Sequence, residues 1–401
     1  MTRTKDNFDT DVLNILERGI EQLVERGIPL DEATTKMSAA FIGSLSDSGE
    51  LIATSLIRTA PKMLGEHAIM NERFQRKLRD YWADVFDSHY AIVDCAEEFG
   101  SDFTKKNVRR ATISNALVFQ ALIRLHARAC RIALEVHWLL TGGFPAGALA
   151  RSRTLHELAV TMNVIGDFGR KPEFLDLAER FLLHHHITNH SDALTYQGLA
   201  ASGEHKPYTS ADMARLERRR NRLIGRFGRL YASASYGWAA NLPGAPRDFK
   251  QLESLSGIDQ LRSYYKWASH EVHSDSKGSA LNEESLDGIR THLSTGPTLI
   301  GLSTPAQLSL ISLHQCCASL AANGADDASP RDLIALKAIG ELLERAKTLC
   351  ADVEGRLGDE RESHVRRSVA SHGAHLRQSG RRPTVAVRVV AQHQPRLPLA
   401  D

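Results

Sequence analysis

Two helical rows of this chain carry polar side chains at positions that periodicity assigns to hydrophobes. In GGFPAGALARSRTLHEL, residues 142–158, and its continuation, Leu149, Arg153, Glu157, Val160 and Val164 recur at spacings of four, four, three and four. Such spacing lines one face of a helix. Charged groups are rarely buried unpaired, and at i and i+4 Arg153 and Glu157 reach each other. Set in a cleft floor, the arginine would hold an anion while the glutamate acted as a base or oriented a histidine. The same pair in a closed core would instead be an ionic lock that fixes helix register.

The second row lies in YYKWASHEVHSD, residues 264–275. Ile258, Leu261, Tyr265 and Ala268 form its apolar face, and Val272 continues it. His270 and His273 are three apart, while Ser269 and His273 are four apart and can hydrogen-bond along a helix. An imidazole changes charge near neutral pH, which suits proton transfer. His270-Glu271-Val272-His273 is one residue short of the H-E-x-x-H spacing of zinc proteases, so no metal is expected, and no cofactor. The candidate catalytic residues are thus Arg153, His156, Glu157 and His273. Arg128, Arg151, Tyr264, Ser269 and His270 are the candidates for holding substrate.

Two further clusters stand out. His184, His185 and His186 precede His190, and the i, i+4 pair His186 and His190 could share a ligand, although packing beside Phe181 and Leu182 is the simpler role. Arg215, Arg218, Arg219, Arg220, Arg222, Arg226 and Arg229 fall within 15 residues that hold one acid, Glu217. That excess suits an anionic partner such as RNA, held by counterion release.

The elements that must position these groups are helical. Val118, Leu122, Leu125, Ala129, Ile132, Val136 and Leu139 alternate at spacings of four and three, an unbroken apolar seam on a helix from about residue 106 to 140. Gly142 and Gly143 stop that helix and Pro145 opens the next, which predicts an antiparallel hairpin. Other helices are expected at 9–25, 31–45, 50–63, 71–99, 172–190, 210–234, 257–273, 283–295, 305–323 and 331–357. Strand-like alternation is confined to TVAVRVV at 384–390. The fold class is therefore all-α, a multi-helix bundle with long antiparallel central helices and a disordered basic C-terminal tail. Expected regions are an N-terminal helical part at 1–102, a central bundle at 103–357 and the tail at 358–401.

Bulk properties narrow the function. The chain has 401 residues, 42% hydrophobic and 24% charged, enough for a packed core. Residues 364–401 hold seven Arg and one acid, Asp401, so the tail is basic and the body net acidic. The five cysteines form no C-x-x-C pair, which fits free thiols in a reducing compartment. The first ten residues are polar, and no long uncharged apolar run occurs, so a cytoplasmic protein without a signal peptide or membrane span is expected. The phosphate-binding motifs G-x-x-x-x-G-K-[ST] and G-x-G-x-x-G after a strand, and the nucleophile elbow G-x-S-x-G, are missing, which argues against nucleotide-binding α/β enzymes and α/β-hydrolases.

The segments GFPAGALARSRTLHEL and YYKWASHEVHSD together resemble an uncharacterised bacterial family of all-helical proteins over about residues 110–320. Its recurring positions map onto Arg128, Arg153, Glu157, Ser269 and His273, and the resemblance implies a helical fold without an activity. Arg151-Ser152-Arg153-Thr154-Leu155-His156 also resembles the R-x4-H motif of the helical HEPN ribonucleases. That likeness implies metal-independent RNA cleavage, with histidine as general acid and base and arginine on the scissile phosphate. The expected activity is RNA cleavage or binding in an Arg/Glu/His cleft, in a stress or defence setting. The alternative is a non-catalytic helical sensor or scaffold. RNA or another anionic ligand is the expected partner, and a second copy of the chain is the other.

Overall fold

The computed structural model describes residues 8–108, 113–200, 203, 206–233, 235–273, 276–277, 283–285, 291–293, 295–323 and 329–379. Two compact units divide the chain at Arg76–Lys77. Among the described residues the fold is helical apart from one short hairpin.

The first unit holds α1 (Phe8–Glu25) and the start of α2 (Leu30–Asn107). Gly27, at a positive φ of 86°, ends α1, and Ile28 N–H returns to Leu23 O. The small side of Gly19 admits Met37, so the two helices approach closely there. Where periodicity predicts separate helices at 31–45, 50–63 and 71–99, the structure has a single 78-residue helix. Isolated Gly43 and Gly49 cost only about 1 kcal/mol each in a helix, and Pro61 forfeits one backbone bond, so none of them suffices to break it.

The second unit begins where α2 acquires a core. Leu78, Trp82, Val85, Ile92, Val93, Ala96, Phe99 and Phe103 are buried along one face of the helix. Phe103 meets Phe119 of α3 (Ile113–Thr141), so the residues around the expected boundary at 102/103 share one core with the bundle. Of the predicted seam, Val118, Leu122, Leu125, Ala129, Ile132 and Val136 are buried, and Leu139 is partly exposed. Gly142 and Gly143 close the turn, and Pro145 opens α4 (Pro145–Phe168). Val118 faces Gly169 and Leu139 faces Gly147, which is the antiparallel hairpin the sequence predicts.

Helix α4 is the axis of the bundle. It packs between α3 and α10 (Ser303–Ala322) and also against α8 (Phe249–Ser256) and α9 (Arg262–His270). Its buried residues point in every direction, from Ala148 and Leu149 to Val164 and Ile165. A helix apolar all round must be covered all round, and that is why its few polar residues end up inside.

The remaining elements depart from the sequence expectation for local reasons. The helix predicted at 172–190 is split into α5 (Leu177–Leu183) and α6 (His185–Ala200), because His184 turns inward to donate from Nε2 to Ser233 O. The helix predicted at 210–234 is α7 (Ser210–Phe227), capped by Thr209 and stopped by Gly228 at φ 91°. The helix predicted at 257–273 is displaced: Gly257 at φ 71° ends α8, and α9 follows a short turn. In place of a helix at 283–295, Glu283–Ser285 pairs antiparallel with Thr291–Leu293, Glu284 opposite His292. The last helix, α11 (Pro330–Ser379), continues well past residue 357 into the region expected to be tail. Residues 380–401, with TVAVRVV, lie outside the described residues. Among the described residues no helix is long and apolar enough to cross a membrane.

Candidate functional site

Two turns of α4 send polar groups to four different neighbours. Arg151 reaches back to α3, where its Nε donates to Glu135 Oε2 at 2.7 Å. Ser152 faces α10 and donates to Pro305 O at 3.1 Å as well as to Ala148 O. Arg153 and Glu157 face α9, and His156 faces α8. Each direction follows from the 100° step of the helix, so neighbours in sequence serve different interfaces.

Tyr265 joins Arg153 to Glu157. Arg153 Nη2 donates to Tyr265 Oη at 2.8 Å, and that hydroxyl donates to Glu157 Oε1 at 2.8 Å. The arginine also lies 3.3 Å from the carboxylate directly and over the Tyr265 ring at 4.8 Å. Burial pushes the Tyr265 phenol up from its ordinary value, and its hydrogen bond to the Glu157 carboxylate pushes further in the same direction. Tyr236 beside them is pushed up to about 12, by burial first and then by the charge of Glu157. The phenols therefore remain protonated and act as hydrogen-bond donors near neutral pH. Arg153 and Glu157 keep 20% and 34% of their side-chain surface exposed.

A second cluster sits deeper. His156 Nε2 donates to Glu253 Oε1 at 2.7 Å, and both side chains are 0% exposed. The other carboxylate oxygen accepts from Arg262 Nη1 at 2.9 Å. Phe249 stacks on Tyr265 at 4.4 Å, and the His156 ring meets Phe249 edge-on at 5.8 Å. The Arg262 guanidinium lies over the other cluster's Tyr265 at 5.2 Å, so the two clusters share a wall. Helix α8 places Glu253 through its caps: Asp248 accepts from Gln251 N–H at the start, and Gly257 ends it. His156 Nδ1 and Arg153 Nε are buried without a hydrogen-bond partner among the described residues.

Of the nine candidates read from the sequence, Arg153 and Glu157 are in contact, with His156 one turn away on another face of the same helix. Tyr264 is buried beside Leu149, Leu261, Ala268 and Leu308, and Ser269 donates to Tyr265 O at 2.8 Å; both shape α9 behind the site. Arg151 is taken up by Glu135, and Arg128 is exposed on α3. His270 ends α9 half-buried, and His273 is exposed in the turn beyond it, where the apolar row stops because Val272 is exposed too.

Glu253, Arg262 and the hydroxyl of Tyr265 were not singled out by spacing, and they complete the site. A signal existed for Glu253. With Phe249, Leu252 and Ser256 it forms an i, i+3, i+4, i+7 face that is buried throughout. It is an acid in an apolar row, just as Glu157 is. Nothing local distinguishes Arg262.

The other clusters resolve plainly. His185 Nδ1 donates to Leu182 O, and its ring meets that of His186 at 3.7 Å. No group of three His, Cys, Asp or Glu side chains among the described residues could hold a metal ion. On α7, Arg215 pairs with Asp212 and Arg226 with Glu179, while Arg218, Arg219 and Arg222 are exposed.

Residues 119–288 are similar to the model of a family of unknown function, DUF5677. The matched span runs from α3 through α9 and contains both polar clusters. No curated protein and no solved structure matches the chain significantly.

Proposed function

We propose that the two clusters form a buried polar lock that fixes α4 against α8 and α9, and that the protein is a non-catalytic helical module, a sensor or scaffold. The observation that carries this reading is the His156–Glu253 pair. A general acid or base must touch its substrate, whereas these side chains have no exposed surface and each already holds the other. Arg153 and Glu157 are likewise spent on Tyr265 and on each other. A lock of this kind gains little net stability over a well-packed apolar core, but it penalises every packing that separates the partners. The five thiols, all free, suit a reducing, cytoplasmic setting for such a module. Thermal unfolding of Glu253 and Glu157 variants tests the lock. If alanine at Glu253 leaves the melting temperature unchanged, the reading fails.

A second reading, RNA cleavage of the HEPN type, draws on the partial exposure of Arg153 and Glu157 and on the exposed arginines of α7, which together would admit a phosphodiester. Incubation of the purified protein with total RNA, with and without EDTA, beside Arg153→Ala and His273→Ala, decides it. EDTA-resistant cleavage lost in either variant supports the enzyme; an intact RNA population with wild type removes it.

A further inference from the structure

The first unit has almost no core of its own. Among its described residues Ala33 alone is a buried hydrophobe, while large apolar side chains are exposed along the helix. From residue 42 to 70 eight of the ten fall on one side, while Leu51 and Ile69 lie on the other. At 100° per residue, Ile42, Leu45, Ile52, Leu56, Ile57, Met63, Leu64 and Met70 fall within one stripe, filled in by Gly49, Ala53 and Ala60. Those eight are 43% to 76% exposed. Asp47, Glu50, Arg58 and Lys62 lie outside the stripe, as does the Pro61 ring, and Glu66 borders it.

From this stripe we infer that α2 pairs with α2 of a second copy of the chain over residues 42–70. Ile42, Leu45, Ile52, Leu56, Met63 and Met70 follow the alternating three-and-four spacing of a two-helix seam, with Gly49, Thr59 and Glu66 at its weaker positions. The area fits. Each of the eight side chains offers on the order of 100 Å² of apolar surface, about 800 Å² in all, the amount one partner buries in a standard stable interface. The charge argues against a lipid surface. Interfacial helices are rich in Lys and Arg, whereas this polar face sets Asp47 and Glu50 against Arg58 and Lys62 and has no basic excess. A lone helix of this length exposing such a stripe to water is a liability that self-association removes. The pairing is independent of the polar lock.

Sedimentation or light scattering of the full chain at tens of micromolar tests it. Wild type is expected to be a dimer. The double variant Ile52→Glu, Leu56→Glu should weaken association by at least about tenfold, as for buried hot-spot positions, and run as a monomer. Because both side chains are already exposed in the single chain, the main melting transition should be unchanged, which separates this effect from misfolding. Arg58→Glu, off the stripe, should remain dimeric. A monomeric wild type, or a dimer indifferent to the double substitution, overturns the inference. Flotation of wild type with phosphatidylcholine vesicles, lost in the double variant, would assign the stripe to lipid and overturn it equally.

Discussion

Replacing Glu253 by alanine removes the acceptor of two hydrogen bonds at once. His156, fully buried, is left with neither ring nitrogen partnered, since Nδ1 has no partner to begin with. Arg262 loses its 2.9 Å contact, but its side chain is partly exposed and can turn to water, so its share is small. Breaking a buried pair by deleting one member costs about 3–5 kcal/mol, and the lower part of that range applies here. At roughly 2–4 °C per kcal/mol for a bundle of this size or somewhat smaller, the melting temperature should fall by about 6–12 °C. Glu157→Ala is the internal control. It breaks a comparable set of bonds at a third-exposed position, where water replaces them, and should cost only about 1–2 kcal/mol. Glu253→Gln keeps shape and one acceptor and should lie between. The assay is thermal and urea unfolding followed by far-UV circular dichroism, completed by a double-mutant cycle with His156→Ala, whose coupling should fall between about 0.5 and 3 kcal/mol. A Glu253→Ala protein that melts within about 2 °C of wild type, or that loses no more than Glu157→Ala, would refute the argument that burial makes this pair the lock.

Two further outcomes are expected. His89 and His126 are held down to about 3 and about 4, in both cases chiefly because burial disfavours the charged ring. Since their folded pKa values are depressed, the unfolded chain takes up protons first as pH falls below the ordinary histidine value, so stability should drop from about pH 6.5 downward, by at most about 2 kcal/mol per histidine on reaching pH 5. A melting temperature that does not decline over that window, or a decline that His126→Gln leaves untouched, would contradict this. Gly166→Ala should destabilise by about 1–3 kcal/mol, because the new Cβ would clash with Asn323 Nδ2, whose amide is engaged with Ser319 O. Denaturant titration reads the loss, and adding Asn323→Ala should recover part of it.

The helical rows were legible because their information is local. The alternation from Val118 to Val136, the stop at Gly142-Gly143 and the start at Pro145 each depend on residues within a turn or two, and the 3.6-residue period converts spacing into a face. The contact between Arg153 and Glu157 was legible for the same reason, being one turn of one helix. The run from Leu30 to Asn107 was misread because weak breakers add up on paper, while the backbone weighs each singly. The displaced α9 was misread because Gly257 reads equally well as a helix start or a helix stop.

What the sequence by itself determined, then, is the all-helical class, the central hairpin, and the fact that α4 carries charge into an apolar row. The tertiary structure alone decided what that charge meets. Glu253 lies 97 residues from His156, and Tyr265 lies 108 from Glu157. Periodicity says which face of α4 each residue occupies; it does not say which helix covers that face. His156 reads in sequence as a reactive imidazole beside two arginines. Packing of α8 closes over it and binds it to Glu253, because a helix apolar on all sides recruits a neighbour on every side, and a polar residue on such a helix takes whatever partner the neighbour brings.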